Sequence, residues 1–302
     1  MKTSVALCTY NGEKYIKEQL DSILNQTKKV DEIIVCDDCS SDKTVEILNH
    51  YSSTNPGLFK IYINEQNLRS VKNFEKAITL CTGDIIFLSD QDDFWVNEKV
   101  EIYVKYFEQN PKIEVIASNS NCIDKNSVKI SSKTVWDIAL QSKKTYLETI
   151  ILHQNFATGA TMALKKVFFY KNCLFPKEIH HDEWLVLLAS NEKKFMFLNE
   201  KLTNYRIHAD QLVGSVMLSN KSFEKKLLKI NSKIENQSDK QIFSNMKKWK
   251  RNFENIKIIK RVSPDFEKKY SEILNFEYNK AKEIAKKKYL IKYYFYKLFN
   301  KI

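Results

Sequence analysis

The sequence predicts an α/β protein: a mostly parallel sheet with helices on both faces, followed by a basic helical C-terminal extension. Three observations carry the prediction. Apolar runs of strand length alternate with stretches of helical period from the start of the chain. The runs are continuous rather than alternating, as strands buried on both faces require. Repeated strand–helix units favour parallel pairing, because each helix returns the chain to the same end of the sheet.

Taken in order, residues 4–9 (SVALCT) read as the first buried strand, and over 13–26 Tyr15, Ile16, Leu20, Ile23 and Leu24 recur at helical spacing. Residues 32–36 (EIIVC) are the second strand, and Asp42 is placed as the N-cap of a helix over 44–51 that carries Val45, Ile47 and Leu48. A third strand covers 59–63, a helix 71–80, a fourth strand 84–89 (DIIFLS), a helix 98–109 ending before Pro111, and a fifth strand 113–118. The pattern then loosens. Residues 119–145 are polar and read as a loop-rich excursion with short strands, 158–164 as a further strand and 182–190 as a helix. From Lys221 onward the reading is helical, and a boundary near Val216 divides the chain into a domain over 1–215 and a helical lysine-rich region over 216–302.

Composition narrows the function classes. The 302 residues, 43% hydrophobic and 28% charged, allow one large domain with an appendage or two domains. Gly12, Gly57, Gly83, Gly159 and Gly214 are the only glycines, and they cannot spell G-x-G-x-x-G or G-x-x-x-x-G-K-[ST], which excludes a standard Rossmann dinucleotide site and a P-loop. The apolar run in MKTSVALCTYNGEKY is too short for a signal peptide, and no stretch approaches 18 uncharged apolar residues, so no membrane-spanning helix is expected. Cys8, Cys36, Cys39, Cys81, Cys122 and Cys173 fall mostly in apolar segments and read as reduced thiols of a cytoplasmic protein; Cys36 and Cys39 have no second pair to complete a zinc site. The net charge of +12 is unevenly placed: residues 216–302 hold 23 basic and 9 acidic side chains, while the rest carries a net −2. Chemistry is therefore sought in the near-neutral first two-thirds.

Ligands of an open parallel sheet bind beyond the carboxyl ends of the strands. The first strand there leads into Thr9, Tyr10, Asn11 and Gly12; the second into Asp37, Asp38, Ser40, Ser41 and Asp42; the fourth into Asp90, Gln91, Asp92 and Asp93. Carboxylates so crowded raise one another's pKa unless a cation or donor groups compensate. A hard divalent ion, Mg²⁺ or Mn²⁺, takes one or two carboxylates and shares its remaining positions with phosphate oxygens.

The runs T-Y-N-G, D-D-x-S-x-D and S-D-Q-D-D-F-W, in that order, resemble the inverting glycosyltransferases of family 2, with the GT-A nucleotide-diphospho-sugar fold, over about residues 3–215. The resemblance implies that Thr9, Asn11, Asp37 and Asp38 surround the nucleoside, that Asp90 lies near the ribose, and that Asp92 binds the metal bridging the diphosphate. Asp93 exceeds the minimal motif and leaves the ligand open between the two adjacent acids. Downstream, His180, His181, Asp182, Glu183 and Trp184 look like the H-D-x-W variant of rhamnosyltransferase-type members, which assigns the general base to Asp182, with Glu183 the alternative, and rhamnose to the transferred sugar. The same acids also suit the first turn of a helix. Residues 155–162, with Gly159, resemble the acceptor-side strand, and Trp184 is placed on that side too. The stretch from Tyr205 to Gln211 resembles the segment closing over the diphosphate, where Arg206 or His208 would supply donors to phosphate or metal.

The expected partners are a nucleotide-diphospho-sugar and a glycan or lipid-linked acceptor of bacterial capsule, O-antigen or cell-wall synthesis, with no nucleic acid. Lysines and aromatics interleave from Lys286 to Phe299, with an apolar edge over 293–296, and suit peripheral contact with an anionic membrane at the cytoplasmic face. A nucleotidyltransferase of related architecture would want a cation-bearing phosphate loop after the first strand, which Thr9–Glu13 lacks. A catalytically silent nucleotide-sugar binding module is the non-enzymatic alternative.

Overall fold

Strands β1 (Thr3–Thr9) and β2 (Glu32–Asp37) are buried at every position, as their unbroken apolar runs demand. The computed structural model describes residues 1–130, 132–153, 155–172, 175–209, 217–262 and 264–298; Cys173, Asp210, Gln211, Gly214, Val216 and Phe299 lie outside them. Helix α1 (Ile16–Leu24) follows β1, and α2 (Thr44–Thr54), β3 (Phe59–Ile63), α3 (Arg69–Leu80), β4 (Ile85–Ser89), β5 (Phe94–Trp95), α4 (Lys99–Gln109) and β6 (Val115–Ile123) continue the alternation. Then come β7 (Lys129–Ile130), β8 (Lys133–Thr134), α5 (Val135–Gln141), α6 (Tyr146–Leu152), β9 (Met162–Lys165), α7 (Lys166–Lys171), α8 (His181–Asn191) and β10 (Phe195–Arg206). The chain closes with β11 (Met217–Leu218), α9 (Asn220–Asn231), α10 (Asp239–Val262), α11 (Pro264–Lys288) and α12 (Leu290–Leu298).

The main sheet runs β3-β2-β1-β4-β9-β6-β10-β5, with β7 beside β6. β1 is parallel to β2 and β4, β2 to β3, and β6 to β10; β9 runs antiparallel between β4 and β6, and β5 and β7 pair antiparallel with β10 and β6. Val5, Leu7, Ile33, Val35, Ile85 and Phe87 share a core with α1, α2 and α4. The intervening Ala6, Cys8, Ile34, Cys36, Ile86 and Leu88 are equally buried on the opposite face, where α3 meets β1 and β2. The expected α/β class is the observed one.

Three local expectations change, and one strand, β10, was not expected. The fifth strand runs on to Ile123, because Ser118, Asn119 and Ser120 are satisfied inside the sheet; Ser120 Oγ, for example, donates to the Thr203 carbonyl (2.5 Å). β10 has no clean strand period, since its register against β6 shifts on either side of Lys201. The strand expected over 158–164 splits into a single 3₁₀ turn, Gly159–Thr161, and β9. The residue capping α2 is Lys43; Asp42, one position earlier, accepts from the N–H of Thr44 (2.9 Å) and of Glu13 (3.0 Å). Cys8, Cys36, Cys39, Cys81 and Cys122 are free thiols.

The chain forms two units, Met1–Leu140 with Ala157–Met217, and Gln141–Phe156 with Leu218–Ile302. The sequence carries no boundary signal around 141–156, which joins the C-terminal helices. Trp249 Nε1 and Asn252 Nδ2 of α10 donate to the carbonyls of Leu152 (2.9 Å) and Ile151 (2.8 Å), satisfying last-turn acceptors of α6. In α12 Tyr293 is buried and Tyr296 stacks on Phe243 with 4.8 Å between ring centres. Leu290, Tyr294 and Leu298, four residues apart, stand 55, 54 and 79% exposed. Among the described residues no helix is long and apolar enough to cross a membrane.

Glu32 begins β2. Burial alone would raise its carboxyl, but Ser4 Oγ (2.6 Å), the N–H and hydroxyl of Thr82, and Lys60 (3.2 Å) bring it down to about 2 from 4.5. A pKa lower in the folded state stabilises above the unfolded value, and that stability is lost as pH falls through the folded one. Glu32→Gln should therefore melt below the native protein at about pH 6, with the gap closing towards about pH 3. Thermal scans showing a pH-independent gap would remove Glu32 as its source.

Candidate active site

The loop after β4 carries Asp90, Gln91, Asp92 and Asp93 and leads into β5, which pairs with β10 so that Phe94 faces Asn204 and Trp95 faces Thr203. That pairing brings the end of β10 onto the acidic loop. His208 Nε2 meets Asp92 Oδ2 at 2.9 Å, and its ring lies 5.0 Å from that of Tyr15. Asp93 is turned inward, 1% exposed: its Oδ1 accepts from the N–H of Arg206 (2.8 Å), and its Oδ2 has no hydrogen-bond partner among the described residues. Of the two adjacent acids, only Asp92 presents its carboxylate to the site. Burial, then the charges of Asp92 and Asp182, push Asp90 up to about 8, with Lys99 opposing. Burial, then Asp92 and Asp90, also raises Asp93 well above the carboxylate range.

Arg206 does not stand ready for a phosphate. Its Nε donates to the Asp92 carbonyl (2.6 Å), Nη1 to the Asp124 carbonyl (3.2 Å) and Ser127 Oγ (2.9 Å), and Nη2 pairs with Glu18. The guanidinium, buried 4.6 Å from the centre of the Tyr15 ring, ties the acidic loop to α1.

The second acidic group comes from the start of α8. Asp182 Oδ1 accepts from the N–H of Glu183 (2.6 Å) and Oδ2 from the N–H of Gly159 (3.3 Å), so the carboxylate is mounted on a helix end and a 3₁₀ turn. Its charge acts on Asp90 and on Tyr205, whose hydroxyl is pushed up by burial and then by Asp93, Asp90, Asp92 and Asp182. The space over Gly159 is filled by the protein itself: a Cβ there would stand 2.6 Å from His181 Nε2. The His181 imidazole stacks on Phe74 (4.1 Å between ring centres), and burial lowers its pKa. Trp184 is fully buried in the core of α8, which removes it from an acceptor-facing surface.

The first two loops are held by their own acids. Asp37 accepts from Thr9 Oγ1 (2.6 Å), Ser40 Oγ (2.6 Å) and the Ser40 N–H (2.8 Å). Asp38 accepts from Asn64 Nδ2 (2.8 Å) and from the N–H groups of Leu68 (2.7 Å) and Arg69 (2.9 Å) at the start of α3. Asn11, at a positive φ of 49°, takes the Ser41 N–H on its Oδ1 (2.8 Å). Both carboxylates are thus committed to shaping the loops, while the Tyr10 side chain beside them is exposed.

Residues 4–170 match the family described as Glycosyl transferase family 2. The chain belongs to that family. It is 31% identical over 208 residues to an uncharacterized glycosyltransferase of Methanocaldococcus jannaschii, covering 68% of this chain and 70% of the relative; some other relatives are spanned over 63% of their length. It is 28% identical over 233 residues to the dTDP-rhamnosyl transferase RfbG of Shigella flexneri, covering 69% of this chain and 74% of the relative. Among solved structures, a mannosyltransferase from Pyrobaculum calidifontis in complex with GDP-Man and Mn²⁺ superposes with a TM-score of 0.52 at 16% identity, covering 94% of this chain and 74% of that one. These likenesses show a glycosyltransferase with the GT-A architecture.

Two residues of this candidate site escape motif reading. Gln91, between the acids, exchanges both amide bonds with Tyr10 (2.7 and 2.8 Å) and clasps the first loop to the third. Lys99 is fully buried beneath the acids, and burial lowers its pKa to about 7. Among the described residues no three His, Cys, Asp or Glu side chains form a ready-made metal cluster. Asp92 and His208 still fit a hard divalent ion, since such an ion needs few protein ligands when a diphosphate supplies the rest.

Because His181 occupies the space over Gly159, Gly159→Ala should cost about 1–3 kcal/mol of stability through overpacking and displace Asp182 beside it. Adding His181→Ala should restore most of the loss. Identical melting of Gly159→Ala and native protein would mean that the ring simply swings aside.

Proposed function

We propose that the protein is a metal-dependent inverting glycosyltransferase that moves one sugar from a nucleotide-diphosphate donor to a glycan or lipid-linked acceptor. The observation that carries this reading is that Lys99 joins the two acidic groups, bonding the Ala160 carbonyl of the turn that supports Asp182 and Thr203 opposite the strand that follows Asp90 and Asp92. The charge of Asp182 is felt at Asp90. Breaking a sugar–phosphate bond leaves negative charge on the diphosphate, and a divalent cation held by Asp92 and His208 would stabilise it. A single displacement inverts the anomeric carbon, so the acceptor hydroxyl must lose its proton on the face opposite the diphosphate. Asp182 is suited to take that proton, because its carboxylate is positioned by two N–H groups and comes from a segment separate from the acidic loop. Asp37 and Asp38 then serve the nucleoside indirectly, by setting the shape of the loops around it. The kinship with a dTDP-rhamnosyl transferase makes dTDP-rhamnose the first donor to test, with Mn²⁺ as in the mannosyltransferase neighbour.

The C-terminal helices support a second part of the proposal, peripheral binding to an anionic membrane surface. The residues carrying it differ from those first expected: Tyr293 and Tyr296 pack inside the helical unit, whereas Leu290, Tyr294 and Leu298 form one exposed stripe. Lys286, Lys287, Lys288 and Lys297 accompany that stripe. Basic side chains around an exposed apolar row suit anionic lipid headgroups.

Turnover of dTDP-rhamnose, UDP-sugars and GDP-mannose with and without Mn²⁺ would test the donor and metal. Asp92→Asn should abolish transfer and weaken metal-dependent donor binding. Asp182→Asn should leave donor binding intact and lower kcat by about 10²-fold or more, with Glu183→Gln doing less. Full turnover of Asp92→Asn in a chelator refutes the metal assignment, and the reverse ranking of the other two moves the base to Glu183.

In co-sedimentation, the full chain should bind phosphatidylglycerol vesicles more than phosphatidylcholine ones, and the binding should weaken as salt rises because lysine attraction is screened. The triple substitution Leu290→Ser, Tyr294→Ser, Leu298→Ser should lose most of it. Equal, salt-independent recovery in the supernatant for both proteins would refute membrane binding.

A further inference from the structure

Lys99 and Tyr103 lie one turn apart at the start of α4, and both side chains are fully buried. They reach the same 3₁₀ turn: Lys99 Nζ donates to the carbonyl of Ala160 (2.8 Å), and the Tyr103 hydroxyl to the carbonyl of Thr161. The neighbouring residue of that turn, Gly159, gives its N–H to Asp182. Lys99 Nζ also donates to Thr203 Oγ1 (3.0 Å), which stands opposite Trp95 in the β10–β5 pairing, and its ammonium lies 4.2 Å from the centre of the Trp95 ring. One ammonium thus touches the strand that follows the acidic loop, the strand that ends in Arg206, and the turn that supports Asp182. No other buried cation among the described residues joins all three.

We propose that Lys99, seconded by Tyr103, is a positioning residue that sets the distance between the Asp90–Asp92 loop and Asp182. It touches no reacting atom. The proposal rests on the reading of Asp182 as base and Asp92 as metal ligand. A buried lysine suits the task because its single Nζ offers several N–H donors at one point, here to the Ala160 carbonyl and to Thr203 Oγ1. Its loss would remove the bonds that hold the Ala160 carbonyl and Thr203 Oγ1 to α4. On that reading the donor is held by the Asp90–Asp92 arm, so a shift of one arm against the other would be felt in the transition state more than in donor binding.

Three variants of the full chain test this: Lys99→Met, Tyr103→Phe and the milder Thr203→Val, which keeps every charge. Hydrogen exchange without ligand should rise about tenfold or more in Lys99→Met over residues 89–95, 158–162 and 203–206 together, while β1 and β2 stay within about twofold. Tyr103→Phe should loosen 158–162 alone. With dTDP-rhamnose and Mn²⁺, Lys99→Met should lower kcat about tenfold or more and move donor KM less than about threefold. Thr203→Val should shift the same quantities in the same direction, and it decides the matter should Lys99→Met fail to fold. Exchange that rises uniformly, β1 and β2 included, or in none of the three segments, overturns the proposal, as does an unchanged kcat in a folded Lys99→Met. The exchange measurement uses no substrate, so a native protein inert towards dTDP-rhamnose would count against the donor reading while the clamp is still decided.

Discussion

Four carboxylates, Asp90, Asp92, Asp93 and Asp182, share one end of a sheet, and their mutual repulsion is the constraint that the surrounding structure answers. Each raises the charging cost of the next: Asp90 is pushed to about 8 by burial, Asp92 and Asp182. The chain answers with fixed donors and cations. Asp93 receives the Arg206 N–H, Asp92 receives His208, Asp182 receives the N–H groups of Gly159 and Glu183, and Lys99 lies beneath them. The donors come from four different segments, so the acid cluster has its partners only where the folded sheet brings those segments together. The antiparallel β5–β10 contact is central to it, because that short pairing delivers both Arg206 and His208 to a loop that precedes them by more than half of the catalytic fold.

Acids that resemble ligand-binding groups fall here into two physical kinds. Asp37 and Asp38 are saturated by N–H and hydroxyl donors of their own loops, and such a carboxylate is already paid for by the fold. Asp90 and Asp92 keep acceptor capacity and carry unresolved repulsion. A cation brought by a diphosphate would lower the energy of the second kind and do little for the first. Arg206 makes the same point from the basic side: a guanidinium bonded to Asp92, Asp124, Ser127 and Glu18 is a strut.

How much of this was legible in the sequence follows from range. Continuous apolar runs such as SVALCT and EIIVC report burial on both faces directly, so the parallel half of the sheet and the place of the acidic loop after β4 could be read from local pattern, whereas Asp182 is singled out only through the family resemblance. β10 could not be so read, because a register shift around Lys201 breaks its period, and β9 could not be told from its 3₁₀ prelude. The fates of Trp184, Gly159 and Arg206 depend on what folds against them. A glycine reads the same whether it makes room for a substrate or for His181. Tail aromatics likewise divide only in three dimensions, with Tyr293 inside and Tyr294 outside one helix.

Lys99 shows where a signal was present but easily passed over. Lys99, Tyr103 and Phe107 recur four residues apart on the stripe of α4 that also carries Val100 and Val104, all of them buried. A lysine on an apolar helical stripe must be either the end of the stripe or a buried cation with something to hold. Position alone favours the first, since Lys99 opens the helix. The acids a few residues upstream favour the second: a buried cluster of carboxylates needs a nearby counter-charge, and the residue best able to bring one from below is the first inward-facing position of the helix that follows. Reading acidic motifs together with the next buried cation, rather than alone, would have placed Lys99 in the site from the sequence. The motif extends beyond D-x-D here to an inward-turned acid, for Asp93 Oδ1 takes the Arg206 N–H and so ties the acidic loop to the end of β10.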